Sequence, residues 1–437
     1  MTTATDLNED APLDTARHIR YWQRCFRSGL PHHYTSNDSI RLTLGFFILS
    51  ALDLLSASSP TPLIAPEDRP RLRAWVLRHQ HPHGGFCGSP HHVLPDGLTS
   101  RFDPDTQTYV ARDPANANIA ATGFALLCLG ILADGDGSDA FCRVDRERTL
   151  RWLKRLQRQD GSFGEVLTDD GRISGGRDMR YCYIAAIIRW ALGGGGGDKS
   201  LEFNVDALVG HIRRAQTFDG GMSESSTHES HSGYAYCGVA ALALLDSTGP
   251  DPFPTSNHYI RAGIPSVPAL VHFLVSRQFV YLEPSGENPD DNDAANHPLP
   301  DSLTDGIPQL AGFSGRLNKL ADTCYTWWNS GALVLLGEEK LINRRPARRF
   351  ILEKTQHLIG GFAKFPAGPP DVYHAYMGLA ALATMGGAEG EPGLAKFDPR
   401  LCISADAAHR MFKGRERILH LAARTGSDKD GNSDKIA

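Results

Sequence analysis

The sequence predicts an all-α fold, an α/α barrel (toroid) of repeated helix pairs joined by Gly-Gly-Phe turns. Three observations predict it. One kind of turn recurs, as His83-Gly-Gly-Phe86, Asp160-Gly-Ser-Phe163, Asp219-Gly-Gly-Met222, Ala311-Gly-Phe-Ser314 and Gly360-Gly-Phe362. Basic amphipathic stretches stand before the turns, and apolar stretches rich in Ala and Gly follow them. Self-similarity of this kind marks a repeat architecture, and alternating half-exposed and buried helices suit two concentric rings.

The preceding stretches are RLRAWVLRHQ, TLRWLKRLQRQ, ALVGHIRRAQT and FILEKTQHL. Each has apolar residues at three- and four-residue spacing with Arg and Lys between, so each buries one face. The following stretches begin near Asn118, Arg180, Tyr234, Thr323 and His374. They are apolar nearly all round and pack closely through small residues. Glycine at each turn supplies the left-handed conformation of a helix stop, and the loops that follow gather at one end of the barrel.

This organisation reads as a flexible N-terminus over 1–16, one barrel domain over 17–422 and a flexible tail over 423–437. Inside the domain, the stretch 250–310 holds Pro-rich and acidic runs such as PDDNDAANHPLP and reads as a disordered insertion. Gly193 to Gly197 reads as a flexible connector.

Composition narrows the function. The chain has 437 residues, 41% hydrophobic and 22% charged, as soluble globular proteins do. A net charge of -5 and a pI near 6.4 give no basic field for nucleic acid, so any bound anion needs a local cluster of cations. The N-terminus MTTATDLNED lacks the features of a secretory signal. Apolar runs such as Ala120 to Leu132 fall short of the ~20 residues of a membrane span, so the chain is expected to be cytoplasmic and not membrane-spanning. The eight cysteines include no CxxC pair, and Cys128, Cys182 and Cys237 lie in apolar helices as small buried hydrophobes.

Three groups of residues carry candidate chemistry. Asp322 and Cys324, with His374 at the start of the next repeat's helix, offer oxygen, sulfur and nitrogen ligands. Residues i and i+2 do not share a helix face, so the first two converge only at a helix start. Three ligands on a borderline-soft ion leave a fourth position open, as in catalytic zinc sites. Spacing alone leaves open a capping Asp, a buried Cys and an unrelated His. The second group is cationic: Arg180, His231, Arg316 and Lys319 lie in loops or helix starts and suit a phosphate, although such loop cations are often only solvated. The third is aromatic: Phe46, Phe47, Phe124, Tyr181, Tyr183, Tyr236, Trp327 and Trp328 would line an apolar funnel or simply fill a core.

Together these motifs resemble the β subunits of protein prenyltransferases, from about Arg17 to Leu382. The family's D-x-C-Y segment and later His are matched by Asp322-Thr-Cys324-Tyr325 and His374, which implies one zinc ion. Its diphosphate pocket is matched by His231, Ser232 and Gly233 of E-S-H-S-G, by Arg316 and Lys319 of G-R-L-N-K, and by Tyr325, with Trp328 and Arg180 beside them. The resemblance assigns Thr43, Phe47, Tyr181, Tyr236 and Met377 to the isoprenoid pocket, and Asn118, Ala120 and Tyr181 to the peptide pocket. His231, Arg316, Lys319 and Tyr325, together with Lys364, would act in catalysis.

Two positions bring the resemblance nearest to the type I geranylgeranyl enzyme. Lys364 stands where the farnesyl enzyme has a magnesium-binding Asp, which implies that magnesium is not required. Thr43, in R-L-T-L-G-F-F, stands where the farnesyl enzyme has Trp, which leaves room for a C20 chain. The resemblance then implies transfer of a geranylgeranyl group from its diphosphate to the cysteine of CaaX tails, mostly ending in Leu, on proteins such as Rho-type small GTPases. It also implies an obligate α subunit. Met377, where the family usually has an aromatic, and Asn118, where it has a His, depart from the pattern.

A farnesyltransferase β subunit is the nearest alternative. A terpene cyclase would need a DDxxD or DxDD cluster, and only Asp290-Asp-Asn-Asp293 comes close. A glycosidase would need two carboxylates, for which Asp178, Glu224 and Glu229 are available. A non-catalytic barrel would need a fourth, closing metal ligand.

Overall fold

The computed structural model describes residues 11–90, 100–103, 107–111, 116–168, 170–194, 198–251, 256–281 and 310–430. An inner circle consists of α2 (Arg41–Leu55), α4 (Ile119–Ile131), α6 (Met179–Ala191), α8 (Ser232–Asp246), α11 (Thr323–Leu335) and α13 (Val372–Met385). Each packs on the next, and α13 packs on α2 to close the circle. The outer helices are α1 (Thr15–Arg27), α3 (Asp68–Leu77), α5 (Arg146–Arg155), α7 (Val205–Arg214), α10 (Val267–Val275) and α12 (Arg344–Arg349), the last continued by a π-helical turn over Phe350–Thr355. A short α9 (His258–Gly263) precedes α10, and α14 (Ala405–Asp430) packs outside α4 and α6.

Close packing of the inner circle depends on its small residues. A Cβ added to Gly123 in α4 would lie 2.6 Å from Ile184, and one on Gly378 in α13 would lie 2.4 Å from Phe362. Glycine costs about 1 kcal/mol inside a helix, and at these positions the neighbour occupies the space a side chain would take. Inner-helix residues such as Leu126, Ile188, Leu242, Leu333 and Leu382 are fully buried.

Between rings, each turn is latched by a glutamine that the sequence reading did not single out. Gln80, Gln157, Gln216 and Gln356 bridge antiparallel to Phe86, Phe163, Met222 and Phe362. Gln278 does the same with Phe313, where β7 (Gln278–Val280) meets β8 (Ala311–Phe313). The fourth turn is therefore a strand pair that keeps the same register across the insertion. Each glutamine Oε1 also accepts the backbone N–H of the residue that begins the next outer helix. These are Asp145, Asn204, Ser266 and Asn343 at 2.8 to 3.0 Å, and Asp14 at 3.1 Å. The last latch joins the last turn to the start of the first outer helix and closes the outer ring.

A hairpin, β9 (Phe397–Asp398) with β10 (Ile403–Ser404), plugs the lumen. Tyr183, Tyr236 and Tyr376, from three inner helices, donate their hydroxyls to the carbonyls of Arg400 (2.8 Å), Pro399 (2.8 Å) and Cys402 (2.6 Å). Arg400 is 0% exposed and pairs with the equally buried Asp398 at 2.7 Å. The three tyrosines thus form the floor of the lumen. A small sheet, β1 (Phe86–Cys87), β4 (Ala117–Asn118), β5 (Val166–Leu167) and β6 (Ile173–Ser174), rims the opposite end, where the inner helices begin. A separate hairpin joins β2 (Ser100–Asp103) to β3 (Thr108–Ala111).

Three expectations need correction. The insertion read over 250–310 is not wholly irregular: residues 256–281 hold α9, α10 and β7, while 252–255 and 282–309 lie outside the described residues. The apolar VPALVHFLV is the outer helix of the fourth repeat, overlooked because it lacks the basic residues of the others. The tail read as flexible from 423 continues α14 as far as Asp430, because extending a formed helix costs little. Finally, His32–Ser58 has the length and apolarity of a membrane span, a stretch the sequence reading missed. It is a 3-10 segment (His32–Ile40, non-helical at Asn37) followed by α2 and a last 3-10 turn, and α2 is an inner-circle helix. Gly195 to Gly197 of the expected connector lie outside the described residues.

Candidate active site

The candidate residues gather at helix starts. Asn118, Asp178, His231, Asp322 and Asp371 are the N-caps of α4, α6, α8, α11 and α13, and each side chain accepts a backbone N–H from the first turn. Capping selects Asp, Asn or another acceptor at that position. Placing these helix starts at one mouth makes the caps a site. The exposed N–H groups and the helix dipoles give this mouth a positive potential suited to an anion.

One cavity of about 330 Å³ is lined by residues of the caps and opening turns of α6, α8, α11 and α13: Arg180, His231, Tyr234, Cys324, Trp328 and His374 among them. A second, of about 270 Å³, includes Arg316 and Lys319 and shares Asp322, Tyr325 and Lys364 with the first.

Asp322, Cys324 and His374 bring their ligand atoms within 4.8 Å of one another, the one such trio among the described residues. Asp322 Oδ1 accepts the N–H of Cys324 at 2.7 Å and lies 3.6 Å from His374 Nε2. His374 Nδ1 is held by Asp371 Oδ2 at 2.6 Å, so Nε2 is the nitrogen that faces the trio. Burial would push the Asp371 carboxyl up, but hydrogen bonding and charge from His374 hold it below its ordinary range. Burial, with Asp322 beside it, pushes the Cys324 thiol well up. A thiol so placed ionises only opposite a strong positive charge. One N, one S and one O donor, with the imidazole oriented by a carboxylate, fit a zinc ion.

The cations are held close by. Arg316 pairs with Glu229 at 2.9 Å, and Arg180 forks onto Asp178 with two bonds of 2.9 and 3.0 Å. Lys364 Nζ lies 4.0 Å from Asp322, its backbone pinned by Thr323 N–H at 3.1 Å. Lys319 is exposed, on the loop where Asn318 takes φ 55°. The backbone N–H of Ser232 donates to Gly315 at 2.9 Å and ties that loop to α8.

His231 departs from its expected place among the cations. Burial, then the charges of Arg316 and Arg180, push its pKa down to about 4, so the imidazole is neutral. Its Nδ1 accepts the Gly233 N–H at 2.9 Å. The hydrogen therefore sits on Nε2 and is donated to the Tyr325 hydroxyl oxygen at 3.0 Å. That leaves the Tyr325 hydroxyl hydrogen free to point into the cavity. A Cβ at Gly233 would lie 2.9 Å from the imidazole, so glycine permits this arrangement.

A family model described as prenyltransferase alpha-alpha toroid domain matches residues 13–403. The chain belongs to this family. It is 29% identical over 409 residues to geranylgeranyl transferase type-1 subunit beta of Arabidopsis thaliana, covering 91% of each chain. To the protein of that name from Dictyostelium discoideum it is 25% identical over 382 residues, 83% of this chain and 88% of the relative. Protein farnesyltransferase subunit beta of Pyricularia oryzae is 26% identical over 404 residues, 85% of this chain and 63% of that one. The solved structure of Candida albicans protein geranylgeranyltransferase-I complexed with GGPP shares the toroid fold, with a TM-score of 0.69 at 24% identity, over 93% of this chain and 99% of that one.

In this toroid Trp328 lies beside the metal trio and donates to Tyr373 at 3.0 Å. Phe47 packs on Tyr373 and Tyr376 at 5.6 and 5.7 Å between ring centroids. Tyr236 and Met377 are buried, and Thr43 is half-buried on α2. Asn118, half-buried Ala120 and half-buried Tyr181 stand at the starts of α4 and α6. Asp371, Tyr234 and Tyr373 were missed as site residues. An Asp three residues before the expected His ligand, at capping distance, was the available signal for Asp371.

Proposed function

We propose that this chain is the catalytic β subunit of a type I protein geranylgeranyltransferase, which alkylates the cysteine thiol of a C-terminal CaaX tail with a C20 lipid from geranylgeranyl diphosphate. The observation that carries the reading is the convergence, at one mouth, of an Asp322, Cys324 and His374 trio with the cations and Tyr325 of a diphosphate pocket. The names of the relatives in Arabidopsis thaliana and Dictyostelium discoideum support it.

Asp322, Cys324 and His374 would hold one zinc ion, whose positive charge would lower the pKa of an incoming thiol. In the reaction the acceptor's thiolate attacks C1 of the lipid diphosphate. The S–C bond forms as the C–O bond breaks, and the electron pair departs on the diphosphate. Arg316, Lys319 and Lys364 supply the charge that this leaving group needs, and Tyr325, oriented by neutral His231, donates a hydrogen bond. Gly233, Trp328 and Arg180 line the same pocket, and Ser232, fully buried, opens α8 next to Gly233. Thr43, Phe47, Tyr181, Tyr236 and Met377 would enclose the lipid, with Tyr236 contributing to the hydrogen-bonded floor. Asn118, Ala120 and Tyr181 would receive the peptide.

Lys364, standing where the farnesyl enzyme has a magnesium-binding Asp, would supply the charge that the ion otherwise brings, so we assign no magnesium requirement. An α subunit completes the enzyme, Rho-type small GTPases fit as substrates, and the cytoplasm is the proposed location. Competition between C15 and C20 diphosphates on a CaaX peptide, using the heterodimer, tests the reading. Preferential C20 transfer is expected. C15 transfer would point to the farnesyl enzyme, and the absence of any transfer would overturn the proposal.

A further inference from the structure

Glu165 follows the second turn, at the barrel mouth, and was not among the residues singled out from sequence. Its Oε1 accepts the side-chain N–H of Asn118 at 2.8 Å, and its Oε2 accepts the Tyr181 hydroxyl at 3.1 Å. The carboxylate thus ties the start of α4 to the start of α6. Among the described residues it has no cation partner. A half-buried carboxylate held only by an amide and a phenol keeps two lone pairs, and its charge, without a matching donor.

The order of the inner circle places this group. With contacts running α2, α4, α6, α8, α11, α13 and back to α2, α4 stands opposite α11 and α6 opposite α13. The Asn118, Glu165 and Tyr181 group therefore faces the metal trio across the mouth. Helix axes 8–10 Å apart place opposite axes roughly 20 Å apart, and side chains leave about 10 Å between the two walls. Three residues beyond a cysteine, fully extended, span about 10 Å. An extended tail whose cysteine lies at the trio can therefore reach Glu165 with its last side chain. Its terminal carboxylate would then come near Arg180 on α6, whose side chain is 61% exposed although paired with Asp178.

We propose that Glu165, with Asn118 and Tyr181, is the receptor for the acceptor's last side chain and favours one bearing a hydrogen-bond donor, such as Gln or Ser, over the Leu implied by resemblance. This rests on the acceptor reading above. An apolar side chain would cover the carboxylate and strip it of water without replacing the lost hydrogen bonds, whereas an amide or hydroxyl replaces them.

The test is kcat/KM on two peptides that differ only in a final Gln or Leu, with the α/β heterodimer and C20 diphosphate. A Gln-to-Leu ratio above one is expected. It should fall about tenfold in Glu165→Met, because a site that hydrogen-bonds its ligand discriminates by such factors or more. If Glu165→Met does not yield a folded heterodimer, Glu165→Gln, which keeps the shape and removes the charge, should lower the ratio at least threefold. A ratio below one in the parent enzyme, or one that the folded variant leaves within threefold, overturns the inference and leaves the transferase reading standing. Failure to alkylate either peptide with C20 or C15 overturns both.

Discussion

Replacing Asp371 with Asn would test how the metal site is held. Asp371 does two things: Oδ1 caps α13 by accepting the His374 N–H at 2.9 Å, and Oδ2 holds His374 Nδ1 at 2.6 Å. Asn retains the cap, since the two residues cap about equally well. It replaces the second oxygen with an N–H₂ that faces Nδ1, and this favours the tautomer protonated on Nε2, the nitrogen needed for the metal. Loss of such an orienting carboxylate typically costs 10–100-fold in metal affinity, or about 1.4–2.7 kcal/mol. Competition for zinc with a chromophoric chelator reads the affinity, and thermal melting in excess chelator reads the cap. The expected result is at least tenfold weaker zinc binding with metal-free melting little changed. Affinity within twofold of the parent would show that Asp371 does not orient His374.

Other outcomes follow from the same structure. Asp398→Ala strands the fully buried Arg400 in the floor hairpin and should cost about 3–5 kcal/mol in urea denaturation. Arg400→Met in the same chain should recover most of that loss, and equal stability of the single and double variants would contradict the account. His18, whose pKa burial lowers to about 4, and His231, also at about 4, are neutral when folded. The unfolded chain therefore takes up protons first, and stability should fall as pH drops from 6.5 toward 4, by about 3 kcal/mol per group. Denaturation midpoints that hold steady or rise over that window would refute the assignment. Lys364→Asp should make turnover respond to magnesium, and a flat titration would remove Lys364 from its proposed role.

Much of this molecule was legible locally. The repeats show because apolar periodicity and glycine turns are properties of short windows, and five of the six inner helices start within two residues of the expected positions, α2 being the one whose start was not read. The metal trio was legible because Asp322 and Cys324 are two residues apart and His374 opens the equivalent helix. The outer helix Val267–Val275 escaped notice because its composition breaks the pattern of the other repeats. The glutamine latches recur at one position of each turn and could have been found by aligning the turns.

What the linear sequence determined by itself is the repeat and the chemistry that opens each inner helix. Only the closed circle decided which openings face each other, because angular position around a barrel depends on how many helices complete it. Burial beside Arg316 and Arg180 decided that His231 is neutral. Packing also decided that Glu165, 47 residues from Asn118 and 16 from Tyr181, binds both. Hydrogen bonds and desolvation depend on distances in space, and separation along the chain does not specify those distances.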